Sequence, residues 1–296
     1  MIILGTTENI EYLKNSEHWF CDGTFGISPE SFYQVYTIHC MFNGRVYPCI
    51  YALLSNKRQS LYQELFQLLG EFMGRGNSPT TITMDFELAA INAARSVFPD
   101  ALLHGCYFHF RQSLYRKIQT LGLQQKYASD LEFSHNMKKY ASPAFVPPDD
   151  VQEAFASLKS SMQVEVDEKL GNYSSYVEKT YIGTQTKKPM FNKEFWNVQH
   201  AVTNGLPKTN NHVEGFNSRF KHVIGCSHPS VSMLIDILKQ EYNLVKFGKI
   251  QHDMGGPQPK IRKVKSKEDK ARELIDDYGN FSNIYYLGLV AASISL

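Results

Sequence analysis

Thr80–Cys106 reads TTITMDFELAAINAARSVFPDALLHGC. Four of its first five residues are β-branched, which is strand composition. Asp85 follows at once, where α/β sheets present their ligands, at the end of a strand. Glu87–Phe98 is alanine-rich and reads as a helix, and Ala101–Cys106 reads as another buried strand.

Upstream, His18–Phe25 (HWFCDGTF) is short, aromatic and ends at turn-formers. Ser31–Met41 and Arg45–Leu54 are rich in Tyr, Val and Ile, with Asn43-Gly44 between them, a strong hairpin signal. A helix is predicted from near Ser60, with Gln63 as a capping-box partner and Leu61, Leu65, Leu68, Leu69 and Phe72 at helical spacing. Gly74–Pro79 punctuates the chain. The order is thus β-β-β-α-β-α-β, a mixed sheet with helices packed on it.

Downstream the strand signal fades. Tyr107–Leu123 reads as helix, Pro143–Pro148 as a break, and Asp150–Met162 as an amphipathic helix with Glu153 as capping partner. Asn211–Val223 and Val231–Val245 form a last helical block. Beyond Gly255-Gly256-Pro257 the composition predicts a mobile basic linker with an uncertain C-terminal element.

The 296 residues, 43% of them apolar, suffice for one large core or a core plus an insertion. No long apolar run predicts a membrane span, so no membrane partner is expected. The N-terminus lacks a secretory pattern, and the five scattered cysteines form no C-x-x-C pair, so a reducing cytosol or nucleus is expected. Lys plus Arg number 31 against 29 Asp plus Glu, so global charge does not announce a nucleic-acid partner. Two local stretches are basic: six Lys/Arg against two acids over His104–Lys139, and seven against two over Lys260–Arg272. Each is equally a solvated helix face or tail.

Three acids stand out. Asp22 lies within Phe20–Phe25, and a charge among aromatic residues of a central strand is costly unless paired or metal-bound. Asp85 ends a strand, and Glu214 sits at a helix start. Each has a bland alternative: Asp22-Gly23 as a turn, Asp85 as a helix cap, and Asn211-x-x-Glu214 as a capping arrangement.

The strings DGTF, ITMDFELAAINAARSVFPDALLHGCYFHF and GLPKTNNHVEGFNSRFKHVIGCSHPSV together resemble the MULE-type (Mutator-like) transposase domain, in the family's order and over about Thr7 to Lys246. The resemblance implies an α/β fold with an RNase H-like mixed sheet and a helical insertion between the second and third catalytic carboxylates. It divides the chain into a first part of the core (1–106), the insertion (107–203), C-terminal core helices (204–250) and a basic linker and tail (251–296). It implies a D-D-E triad of Asp22, Asp85 and Glu214 binding Mg²⁺ or Mn²⁺. The 62 residues between the first two acids hold a hairpin, a strand and a helix, and the 128 before Glu214 leave room for an insertion.

Such a triad implies a DDE transposase catalytic domain. Paired metal ions about 4 Å apart would assist hydrolysis at a transposon end, and the freed 3′-hydroxyl would attack target DNA. DNA ends and target, a homodimer and a nuclear location are the implied partners and setting, with Lys260–Arg272 as a weak localisation signal. The family commonly adds zinc modules that recognise element ends, and these cysteines supply none. The alternative is a domesticated or decaying transposase acting as a non-catalytic DNA-binding or transcription-regulating protein.

Around the triad, Cys106 and His109 form a C-x-x-H with a supporting role beside the metals. A zinc reading needs two more ligands, with Cys226 and His228 nearest by motif, and Cys106 is equally a small buried hydrophobe. Thr209, Asn210 and Asn211 orient Glu214, meet phosphate, or merely cap a loop. Lys208, Arg219 and Lys221 are candidate phosphate contacts or a plain helix surface. Trp196 stacks on an unpaired base or fills the core beside Phe191 and Phe195.

Overall fold

The computed structural model describes residues 1–42, 45–74, 76–162, 168–184, 186–253 and 267–293, with only the backbone of Asn211 and of a few residues near 250 and 267. The chain opens with β1 (Ile2–Leu4) and α1 (Thr7–Lys14). The helix starts at a capping box between Thr6 and Asn9. Then come β2 (His18–Thr24), β3 (Gln34–Phe42), β4 (Arg45–Leu54), α2 (Gln59–Met73), β5 (Thr81–Met84), α3 (Leu88–Val97) and β6 (Leu102–Gly105).

The strands build a six-stranded sheet in the order β1-β4-β3-β2-β5-β6. β3 and β4 pair antiparallel down to Phe42 opposite Arg45, as the hairpin signal predicts, although Asn43-Gly44 lie outside the described residues. β2 pairs antiparallel with β3 and parallel with β5, so the sheet is mixed and the fold is α/β. Three-residue β1, on the edge beside β4, is too short to leave a periodic signal.

Helices follow: α4 (Tyr107–Thr120), α5 (Gln124–Ser129), α6 (Leu131–Lys138), a 3₁₀ segment (Lys139–Phe145), α7 (Val151–Ser161), α8 (Glu168–Val177) with a π-helical end (Glu178–Ile182), α9 (Lys193–Trp196) and α10 (Gln199–Thr203). The last are α11 (Asn211–Ile224), α12 (Val231–Asp253), α13 (Lys267–Asp276) and α14 (Asn283–Ser293). No helix of the described residues is long and apolar enough to cross a membrane. Two compact units result: Met1–Leu103 with Asn210–Arg262, and His104–Thr209 with Lys263–Leu296.

In the first unit, strand alternation divides the sheet's side chains between two faces. Tyr36 meets Tyr62 and Phe66 of α2, and Trp19 meets Phe98 just after α3. On the opposite face His39 and Tyr51 meet Phe216 of α11, within a cluster that includes Val35, Leu53, Phe220, Leu234 and Ile237. α2 buries Tyr62, Leu65, Phe66, Leu69 and Met73, while Phe72 is exposed. The buried stripe is thus rotated from the one the leucines predicted, because Tyr62 and Phe66 pack on Tyr36. Two predicted capping boxes are absent: Arg58 is the N-cap of α2, and Asp150 caps α7 without a side-chain bond.

The second unit has an aromatic core. Phe110 stacks on Trp196 and stands edge-on to Tyr181. Where the sequence suggested a basic linker and tail, the described residues hold α13 and α14. The latter buries Tyr286, Leu287, Val290 and Ala291, and docks on the 3₁₀ segment through Tyr286 hydroxyl to Phe145 carbonyl (3.0 Å) and Ser142 hydroxyl to Leu287 carbonyl (2.9 Å). Much of the basic run, 260–266, lies outside the described residues.

His39 faces Phe216 with 1% exposure, and burial pulls its pKa from 6.5 down to about 3. Below pH 6.5 the unfolded chain takes up a proton that the folded chain refuses. The His39 contribution is therefore fully present above 6.5 and is lost as pH falls toward 3. Urea unfolding at several pH values should show stability falling more steeply in the wild type than in His39→Leu, by about 1.4 kcal/mol per pH unit over this window. Equal slopes would contradict this.

Candidate metal centre

Asp22 is 7% exposed in the middle of β2, opposite Thr37 of β3. The parallel register aligns Phe20 with Thr83, and two residues on it brings Asp85, just past the end of β5, level with Asp22. Carboxylate oxygens of the two lie within 4.8 Å of one another. Two strands thus deliver two acids to one place, at the carboxyl end of the parallel pair.

The bland alternatives fail on local geometry. Asp22-Gly23 lies inside a paired strand, so it is no turn. The N-cap of α3 is Glu87, so Asp85 does not cap it. The N-cap of α11 is Asn210, which makes Glu214 the fourth helical residue and takes it out of capping-box register.

α11 is fastened to β2 on both sides of Glu214. Asn210, 1% exposed, donates from Nδ2 to the Cys21 carbonyl at 3.2 Å, and Asn217 donates from Nδ2 to Asp22 Oδ2 at 2.6 Å. Residues spaced by three and four share a helix face, so Glu214 lies on the face that meets β2. Asn217 was missed by sequence reasoning, although its place three residues after Glu214 was the available signal. Its Oδ1 is buried and has no hydrogen-bond partner among the described residues.

The opposite side of β2 shows why residue 23 is glycine. A Cβ there would stand 2.6 Å from Gln34 Oε1. Gln34 donates to the Tyr62 hydroxyl, which donates to Glu87 Oε1 at 2.9 Å, and Lys57 pairs with Glu87 Oε2 at 2.7 Å. Burial holds the Tyr62 phenol well above its usual range, so it stays a donor. This chain fixes the segment around Asp85 from the α2 side.

The other sequence candidates fall in several environments. Cys106 is buried just before α4 and His109 lies in its first turn, with ligand atoms within 4.8 Å of one another. Cys226 is exposed and His228 Nδ1 is bonded to the Ser28 carbonyl at 2.8 Å; neither joins a ligand cluster among the described residues. Lys208 is half-buried, its carbonyl accepting from the Tyr107 N–H at 3.0 Å. Lys221 is exposed and lies over Gly26, in the loop that leaves β2. Asn211 is the first residue of α11, and its side chain is outside the described set.

Two candidates are corrected. Trp196 has no exposed surface and its Nε1 donates to the Tyr181 carbonyl at 3.0 Å, so it is a core residue with no face for a DNA base. Arg219 spends Nη1 and Nη2 on the Glu241 carboxylate, at 2.7 and 2.6 Å. Those hydrogen bonds raise the Arg219 pKa, and Glu241 is only 2% exposed. The guanidinium neutralises a buried acid and is not offered to phosphate.

The family model of the MULE transposase domain matches residues 18–113. That span holds Asp22, Asp85, Cys106 and His109 with the first two of the three strings that carry the resemblance, and it supports a MULE-type transposase domain. No curated protein matches the chain.

Arg219→Ala strands Glu241 and should cost about 2–3 kcal/mol in denaturant unfolding, discounted because the guanidinium is half-exposed. Glu241→Gln in the same background should restore part of that loss. A change within about 0.5 kcal/mol, the range of an ordinary surface substitution, would show that the pair is not structural.

Proposed function

We propose that this chain is the catalytic domain of a DDE transposase with an RNase H-like core, cutting DNA and joining the freed strand to a target. The observation that carries the reading is the meeting of Asp22 and Asp85 within 4.8 Å, with Glu214 on the helix face fastened to the same strand. The family match over 18–113 supports a transposase-related function.

The residues present fit hard divalent cations. The ligands are carboxylate oxygens, which Mg²⁺ and Mn²⁺ prefer, and two oxygens on one such ion stand at most about 4–5 Å apart. The buried Asn217 Oδ1, lacking a protein partner beside Asp22, is a further oxygen at the same place. Asp22, Asp85 and Glu214 would hold the ions. When bound, these supply Lewis-acid stabilisation of the attacking and leaving oxygens in phosphoryl transfer.

The chain's own groups have separable tasks. The Asn217 amide holds one Asp22 oxygen and so turns the carboxylate to a fixed orientation. Asn210 sets the start of α11, and hence the height of Glu214 along β2. Lys221, over the loop after β2, and Lys208 are the cations assigned to DNA phosphates, contacts that position a strand without reading sequence. Cys106 and His109 are supporting groups. The partners are transposon ends and target DNA, engaged by a nuclear homodimer.

In Mn²⁺ or Mg²⁺, the chain with double-stranded DNA should release products ending in a 3′-hydroxyl and join some to a second duplex. Asp22→Asn, Asp85→Asn and Glu214→Gln should each lower the rate by about 10³-fold or more. Lys221→Ala should instead weaken DNA binding and its salt dependence with little change in the rate at saturation. Cleavage that survives all three acid substitutions would overturn the reading. DNA binding without metal or cleavage would favour the regulatory alternative.

A further inference from the structure

The segment between β2 and β3 begins just after the strand that carries Asp22, and it presents two large rings to solvent. Phe25 is 44% exposed and Tyr33 is 53% exposed. The rings meet edge to face with centroids 5.5 Å apart. A single exposed apolar side chain is ordinary, whereas two rings held together at the surface form one contact surface.

The backbone between the rings is fixed. Ile27 and Ser28 have no exposed surface, and Ile27 belongs to the same buried cluster as Phe220. The Ser28 N–H donates to the Phe25 carbonyl at 3.1 Å, and the Ser28 hydroxyl donates to the Phe32 carbonyl at 3.0 Å. The Tyr33 N–H donates to the carbonyl of Leu54, the last residue of β4, at 2.8 Å. A platform ordered in advance loses little entropy when a ligand settles on it.

Two cations flank the rings and differ in availability. Lys57 Nζ stands over the Phe25 ring, 4.6 Å from its centroid, and is paired with Glu87 at 2.7 Å. It covers one face of Phe25 and leaves Tyr33 as the more open ring. Lys221 is exposed and has no ion-pair partner among the described residues. Its Nζ lies 3.8 Å from where a Cβ on Gly26 would stand, one residue from Phe25.

We propose that Tyr33 and Phe25 hold one unpaired base of a DNA strand, with a neighbouring phosphate on Lys221, and so position that strand at the carboxylate centre. The proposal rests on the metal-centre reading. Three residues of extended chain, about 10 Å, separate Asp22 from Phe25, so one strand reaches both. Stacking needs a free base face, which a closed duplex does not offer. An apolar protein segment would leave Lys221 unused, and an intact duplex would leave the rings unused. Because every base has a flat face, the patch selects unpaired DNA and reads no sequence.

The test uses the full chain in metal-free buffer and a single-stranded oligonucleotide with one internal 2-aminopurine. Saturable fluorescence quenching is expected, and the same strand closed into a duplex should respond about tenfold more weakly. Tyr33→Ala should weaken the single-strand response about tenfold, Tyr33→Phe should restore it, and both should unfold near the wild-type midpoint. Lys221→Gln should weaken binding and reduce its salt slope by about one. An abasic strand of the same length should compete poorly, since it offers phosphates without bases. The assay contains no metal, so it reads the rings, while Mn²⁺-dependent cleavage reads the carboxylate centre; failure of one is distinguishable from failure of the other. Equal quenching by single strand and duplex, or a Tyr33→Ala response within twofold of wild type, overturns the proposal. So does a DNA-free dimer that Tyr33→Ala dissociates in sedimentation, which would assign the rings to a second copy of the chain.

Discussion

A carboxylate in the middle of a sheet, with 7% of its surface exposed, cannot be left without compensation. Asp22 occupies that position in β2, and the surrounding structure is arranged around it. A hydrogen bond of 2.6 Å from Asn217 satisfies one oxygen and ties α11 to the strand. Asp85 comes level with it only because β2 and β5 run parallel. Two neighbouring acids repel one another, so the arrangement is favourable where a cation is shared between them. The same constraint explains Gly23, since a side chain there would displace Gln34 and the bonds that lead through Tyr62 to Glu87.

The sheet was legible because its signals are local. Alternating β-branched and aromatic runs, a turn dipeptide and an alanine-rich helix each announce themselves within a few residues. Asp22, Asp85 and Glu214 stood out against strand and helix surroundings, and their motifs carried the resemblance. Other features depend on partners distant in sequence. Asn217 looked like any polar residue on a helix until its bond to Asp22, 195 positions away, was seen. The apolar stripe of α2 was misplaced because tyrosine packing against Tyr36, not leucine spacing, sets its rotation.

Two residues show how composition misleads at surfaces and in cores. Arg219 reads as a cation flanking a phosphate site, yet its partner is an acid buried on the following helix, which no local pattern reveals. Trp196 reads equally as a stacking platform or a core residue. Its indole is enclosed by Phe110 and Tyr181, and its N–H is already bonded. The C-terminal stretch is the converse case. Its basic composition masked α14, whose apolar face is recognisable only once the 3₁₀ segment that it covers is in place.

The proposed metal centre requires Asp22 and Asp85 to hold a divalent cation together. Calorimetric titration with Mn²⁺, comparing the wild-type chain with Asp85→Ala in the absence and presence of duplex DNA, tests it most directly. Saturable binding by the wild type, strengthened by DNA, is expected, with its loss in a variant that keeps the same fold by circular dichroism. Binding of equal strength in the variant, or no binding by the folded wild type under either condition, would contradict it.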